Sequence, residues 1–201
     1  MCLNNWGGID HKVLEFHEYV NLFSGKSGSG KSTVMDAIQV ILYGSFSPSF
    51  LNKAADDAKN RRSVLSYLRG EQKDGSANRK DCDFCSVIAL EIEDTGTHII
   101  TCIGIAFEVR KSDSEIKKFV YFSHSGKMPE SEYLTEQGVC YSNQEIKKLV
   151  SARTKSDDNR GKGEVNRIYG SKEAYLGTLY DVILGYIDQN RFITMEKVQL
   201  P

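Results

Sequence analysis

The chain has 201 residues, 26 Lys+Arg against 27 Asp+Glu, and 40% hydrophobic residues, among them one Trp, ten Tyr and nine Phe. That length and apolar content sustain one sizeable core and exclude wholesale disorder, and a net charge of -1 gives no global pull towards an acidic partner. No run reaches the roughly 20 apolar residues of a membrane span, nothing reads as a signal peptide, and five cysteines, an odd number, point to reduced thiols in the cytoplasm.

In chain order, residues 2–8 and 12–16 read as two strands joined by a turn, and Val20, Leu22 and Phe23 predict a third. Residues 24–33, SGKSGSGKST, follow. Val34, Ala37, Ile38, Ile41 and Leu42 then recur at helical spacing and predict a helix over 34–43. Between strand and helix, Gly25, Lys26, Ser27, Gly28, Ser29, Gly30, Lys31 and Ser32 fill every fixed position of G-x-x-x-x-G-K-[ST]. Glycines let the backbone curl until several N–H groups converge on one point, a nest for phosphate oxygens. The following helix adds its unpaired N–H groups and the positive end of its dipole. Lys31 is expected to reach the β- and γ-phosphates, Ser32 to ligate Mg²⁺ through its hydroxyl, and Thr33 to contact a phosphate next in line. The expected ligand is ATP with Mg²⁺.

Further on, residues 84–93 predict a strand with Ile88, Leu90 and Ile92 on one face and Glu91 and Glu93 on the other. After a turn at Thr95-Gly96, residues 97–110 and 117–123 predict two more, so an antiparallel meander with one buried and one wet face is expected. Ser142 to Glu145 fits a capping box ahead of a helix over 144–153. Residues 154–164, TKSDDNRGKGE, read as a mobile loop. Ser171 caps a predicted helix over 172–186, buried through Tyr175, Leu179, Val182, Ile183 and Tyr186. No internal repeat is present, and no coiled-coil heptads have begun by Pro201.

A strand pair ahead of the phosphate loop is unlike a small kinase, where the loop follows the first strand. LNNWGG, then LEF, then VNLFSGKSGSGKSTVMDAIQVILYG is similar to the amino-terminal head segment of MukB-like condensin ATPases. It most resembles the SMC-like subunit of Wadjet (Jet/Ept/Mks) systems, of the MukB/MksB/JetC family. RSVLSYLRG at 62–70 and YGSKEAY at 169–175 resemble later segments of the same family. The resemblance implies an α/β fold, a P-loop NTPase of ABC/SMC type. The chain would be its amino-terminal half-head, with the β meander beside the nucleotide core and flanking helices. It implies an ATPase completed by its own carboxy-terminal half, a second copy of the head sandwiching ATP, kleisin-like and accessory subunits, DNA as the substrate, no membrane, and a nucleoid-associated place in the cytoplasm. Plasmid defence and chromosome organisation both remain open as the task.

Hydrolysis in that class needs a Walker B strand, four apolar residues followed by Asp-Glu. VIALEIED at 87–94 alternates charge with apolar residues, VILGYID at 182–188 lies inside a helical pattern, and no serine-glycine-glycine signature occurs. The resemblance places both elements in the carboxy-terminal half, so the chain alone should bind nucleotide weakly and turn over little.

Other residues carry two readings each. Arg61 and Arg62 fall where SMC-like heads carry an arginine loop near the γ-phosphate or DNA, with Arg69 behind them; the plain reading is a solvated helix end. Gln189 is a weak Q-loop candidate. Cys82 and Cys85 form a lone C-x-x-C, for which Cys102, Cys140 and His98 are the other possible zinc ligands, but loose thiols fit better. His11, His17 and His124 read as surface residues, and the pairs Lys117-Lys118 and Lys147-Lys148 as solvated faces that could touch phosphates. Trp6 lies either near the adenine or in the core, with core favoured. Two rival functions stand beside the half-head: a small P-loop kinase or phosphotransferase, and a nucleotide-binding module that only docks a partner.

Overall fold

The computed structural model describes residues 1–48, 51, 63–72, 74–157 and 165–180. β1 (Cys2–Trp6) and β2 (Ile9–Val13) form the expected antiparallel pair, with β2 starting at Ile9 rather than at position 12. β2 lies at the sheet edge, and its Asp10, His11 and Lys12 are exposed, a charged rim that discourages pairing with another chain.

The next expected strand, through Val20, Leu22 and Phe23, is not formed. The backbone there closes on itself instead: the His17 N–H donates to Asn21 Oδ1 at 2.6 Å, and Asn21 Nδ2 donates to the His17 carbonyl at 2.7 Å. A strand is a pairing relation, and no described strand lies alongside to complete a ladder. The apolar side chains are therefore left outside.

α1 (Lys31–Tyr43) follows the glycine-rich loop, three residues longer at its start than the apolar spacing alone indicated. α2 (Val64–Arg69) is capped by Ser63, whose Oγ accepts from the Ser66 N–H at 3.1 Å. The meander is as expected: β3 (Phe84–Glu93), β4 (Ile100–Val109) and β5 (Lys118–Ser125) pair antiparallel, with Ile88 opposite Ile105 and Ile105 opposite Tyr121. β6 (Arg167–Tyr169), which no sequence pattern announced, adds to β5 and completes the order β2-β1-β3-β4-β5-β6. α3 (Asn143–Asp157) starts at the capping box, where the Ser142 N–H donates to Glu145 Oε2 at 2.7 Å. It runs past position 154, so the stretch expected as a loop is helical as far as Asp157; residues 158–164 lie outside the described residues. α4 (Lys172–Thr178) has Ser171 as its cap and buries Tyr175, with Leu179 just beyond; Val182, Ile183 and Tyr186 lie outside the described residues.

The meander has no wet face. On one side Leu3, Ile88, Ile103, Ile105, Phe107 and Tyr121 pack with α1, α2 and α4. On the other, Cys2, Val87, Ala89, Ala106 and Phe122 are covered by Ile146 and Val150 of α3 and by Tyr133 of the connection that precedes it. Each strand alternates between two cores, which is why β4 is buried at almost every position. Only the end of β3 behaves as expected, with Glu91 and Glu93 exposed.

His124 is a correction of the same origin. It lies on the second face, fully buried, with Nε2 3.0 Å from the Tyr133 hydroxyl and Nδ1 3.1 Å from the Ser125 carbonyl. His11, by contrast, is exposed but partnered, its Nε2 2.7 Å from Glu132 Oε2, and His17 is exposed. Burial pushes the His124 pKa down to about 4, with the carbonyl of Ser125 and Glu91 opposing and Arg153 reinforcing the shift. The unfolded chain binds a proton near pH 6.5 that the folded chain refuses, so this contribution is intact above pH 6.5 and lost as the pH falls from there towards 4. Denaturant titrations should show a loss on the order of 3 kcal/mol across that window, most of it before the carboxylates titrate. A His124→Gln variant should be flatter between pH 6.5 and 5 than the parent.

Candidate nucleotide-binding site

Gly30 forms the joint between loop and helix. Its φ of 89° is a left-handed conformation that a side chain would strain, and no side chain caps the helix after it. The first N–H groups of α1 are thus left facing outward beside a curled loop, with no acidic residue in the first turn to compete for them. Residues 21–29 are exposed, and the Ser32 side chain is exposed at the mouth of the helix.

Lys31 folds back over the loop. Its Nζ donates to the Gly25 carbonyl at 2.7 Å, to the Lys26 carbonyl at 2.9 Å and to Ser29 Oγ at 3.3 Å, while the Ser29 N–H reaches the Lys26 carbonyl at 3.2 Å. The ammonium holds the loop in a ring and remains at its exposed rim, where an incoming phosphate can exchange for the carbonyls. These bonds draw Gly25, Lys26, Ser29 and Lys31 together, while Ser27, Gly28 and Ser32 are exposed alongside and Gly30 joins the loop to the helix. Thr33 faces the other way: its Cγ2 would lie only 2.5 Å from a Cβ placed on Gly7. Its side chain packs on the β1–β2 turn, away from a phosphate role.

That turn is how the sheet holds the loop. Trp6 is fully buried and donates its indole N–H to the Thr33 carbonyl at 2.8 Å, so it belongs to the core and offers no face to a base. Its ring stacks on Tyr67 with centroids 5.0 Å apart, and the Tyr67 hydroxyl donates to Asp36, buried on α1. Arg79 fixes the turn from behind: it donates to the Leu68 carbonyl at 2.9 Å, to Asp10 Oδ1 at 2.8 Å and to the Gly7 carbonyl, with Phe84 against its guanidinium. At the far end of α1, Tyr121, Tyr175 and Tyr180 donate to the carbonyls of Gly44, Ile41 and Leu42 at 2.6, 2.9 and 2.7 Å. Sequence reasoning missed Arg79 and these tyrosines. Hydrogen bonds such as Arg79 to Gly7 and Tyr180 to Leu42, across 72 and 138 positions, leave no periodic trace in the sequence.

Other sequence-level candidates fall elsewhere. Arg61, Arg62, Gln189 and the 182–188 Walker B candidate lie outside the described residues. Arg69 is anchored structurally, donating to the Lys111 carbonyl at 3.1 Å and to that of Asp113, in the β4–β5 turn. Asp94, the last residue of the 87–94 candidate, accepts the Gly96 and Thr97 N–H groups at 2.9 and 2.8 Å and so serves a turn. Cys82 is exposed and Cys85 half-buried, and no metal-binding group of three side chains occurs among the described residues. No described helix is long and apolar enough to cross a membrane.

Gly7→Ala tests the link between turn and loop. The new methyl meets Thr33 at a backbone φ of 60°, so the variant should lose about 1–3 kcal/mol of stability and bind ATP more weakly although no loop residue has changed. Thermal melting and nucleotide titration together check this.

Residues 1–58, 58 of the 201, match the family model described as the P-loop containing region of AAA domain. No curated protein matches the chain. The match spans β1, β2, the glycine-rich loop and α1, the elements that the geometry above ties into one unit. On motif, geometry and family match together, the chain carries a phosphate-binding loop of the P-loop nucleotide-binding kind.

Proposed function

We propose that this chain is the ATP-binding half of an SMC-like condensin ATPase head, completed by a carboxy-terminal half and paired with a second head across ATP and Mg²⁺. The observation that carries this reading is the uncovered apolar segment leading into the loop. Tyr19, Val20 and Leu22 are 86%, 77% and 88% exposed, and Phe16 and Phe23 form an edge-on pair beside them. Apolar residues exposed in succession mark a surface made for contact. Their position, just ahead of the phosphate loop, is where a nucleotide-binding sheet would add a strand, and the missing neighbour is the completing half.

The residues present fit the ligand. The loop of 25–30 and the first turn of α1 would hold the phosphates, Lys31 would exchange its carbonyl partners for β- and γ-oxygens, and the exposed Ser32 hydroxyl would hold Mg²⁺. The metal supplies charge neutralisation on the phosphates. Arg62 belongs to the same reading as a γ-phosphate or DNA contact. Because nucleotide contacts differ between separated and engaged heads, binding free energy becomes head position, and hydrolysis resets it. In this reading the cycle drives DNA translocation with kleisin-like and accessory subunits, in plasmid defence or chromosome organisation in the cytoplasm.

Titration calorimetry with Mg²⁺ and a non-cleavable ATP analogue should give weak binding by the chain, reduced at least tenfold in Lys31→Ala. Turnover should appear only when the complementary carboxy-terminal segment is supplied. Hydrolysis or phosphoryl transfer by the chain unaided would favour the kinase reading, and inactivity even with its complement would favour a docking module.

A further inference from the structure

His11 stands directly opposite Asn4 across the β1–β2 pair, and its ring also reaches the connection between β5 and α3. Asn4 is fully buried and has one workable orientation. Its Nδ2 donates to the Glu132 carbonyl at 2.8 Å, and exchanging the two amide atoms would set oxygen against oxygen. Asn4 Oδ1 is therefore the atom 2.5 Å from His11 Nδ1. An amide oxygen only accepts, so the proton in that bond sits on Nδ1. On the other side of the ring Nε2 lies 2.7 Å from Glu132 Oε2, and an ionised carboxylate also only accepts. Both ring nitrogens thus face acceptors, which is the pattern of a doubly protonated imidazolium.

What the ring holds is strained backbone. Glu132 and Tyr133 are consecutive left-handed residues, at φ 52° and 61°, a conformation uncommon for side chains of their kind. Tyr133 is fully buried in the second core, so the same turn that carries Glu132 seats the side chain that closes this face of the sheet. Asn4 and Cys2 hold the Glu132 carbonyl, and among the described residues His11 is the group that holds its carboxylate. Ile9 and Val13 share the His11 side of β2, while Asp10 and Lys12 point to the other, where Asp10 pairs with Arg79. Burial, reinforced by the Glu132 charge, pushes the Cys2 thiol up to about 12 and keeps it neutral. Glu132 is thus the charge that the ring meets.

We propose that His11, Asn4 and Glu132 form a proton-operated latch that fastens the β5–α3 connection to the edge of the sheet. With two protons the ring bridges Asn4 and the Glu132 carboxylate. When Nε2 loses its proton, a lone pair faces the carboxylate and the strained turn loses a tie that helped to over-determine it. Nδ1 keeps its proton, because Asn4 cannot turn. The latch is closed on the acid side and opens as the pH rises. Its sign is opposite to that of His124, whose neutral form is the stabilising one. It involves no residue of the phosphate loop and stands or falls separately from the proposed head function.

Nitrogen NMR of the His11 ring and amide hydrogen exchange, both on the full chain, test this in the parent, His11→Gln and Glu132→Gln. The Leu134 and Tyr141 amides, which donate to the Ser131 and Tyr133 carbonyls at 2.8 Å each, report on the connection. Corrected for intrinsic rates, their protection in the parent should fall at least about tenfold between about pH 5.5 and about pH 8. In either variant it should not fall, and the amides of β4 should show no such loss in any of the three chains. Once neutral, the parent ring should carry its proton on Nδ1. Protection that holds across the range in the parent, an equal fall in His11→Gln, or a neutral ring protonated on Nε2 would each overturn the proposal.

Discussion

Four aromatic side chains donate hydrogen bonds to backbone carbonyls of α1 and its cap, Trp6 near the start and Tyr121, Tyr175 and Tyr180 at the end. The last carbonyls of a helix have no partner within it, and when they are buried something else must satisfy them. Here the sheet and α4 do so through phenols, and each bond contributes about 1 kcal/mol while costing more if left unmade. Burial pushes the Tyr121 pKa up to about 12, so the hydroxyl remains a donor at any physiological pH. The helix that presents the phosphate loop is thereby held at both ends, by Trp6 and Tyr121 of the sheet and by Tyr175 and Tyr180 in and beyond α4, which fixes the position from which the exposed loop projects.

The same sheet separates two surfaces. Because successive residues of a strand point to opposite faces, Ile88 and Ile105 serve the core under α1 while Val87 and Ala106 serve the core under α3. The sheet is covered on both sides, with α1 and the phosphate loop that leads into it on one face and α3 on the other. The connection over the second face is also constrained: Glu132 and Tyr133 both have left-handed backbones, at φ 52° and 61°, held by Asn4 and Cys2 donating to the Glu132 carbonyl at 2.8 and 3.4 Å. Such a conformation persists only when its surroundings over-determine it.

Local patterns were read correctly where the physics is local. The loop from Gly25 to Ser32 is legible because its chemistry is confined to consecutive residues whose backbone must curl. The capping residues Ser142 and Ser171 are legible because each meets an N–H three positions away. The strand through Val20 and Leu22 was misread because β-propensity describes a fit to neighbours, and the described residues supply none. His124 was misread because its flanking serines suggested solvent, whereas Tyr133 and the cover of α3 make that strand face an interior.

The order of residues alone therefore settled the strand pair at the start, the helix after the glycine-rich loop, the antiparallel meander, the capped starts of α3 and α4 and the phosphate-loop motif, all of which follow from spacing over fewer than about a dozen positions. Folding in three dimensions decided that both faces of the meander are covered, which histidine is buried, which arginine supports the turn behind Thr33, and that the segment before the loop stands uncovered. These are properties of contacts between residues far apart in the chain, and no periodicity along the backbone encodes them.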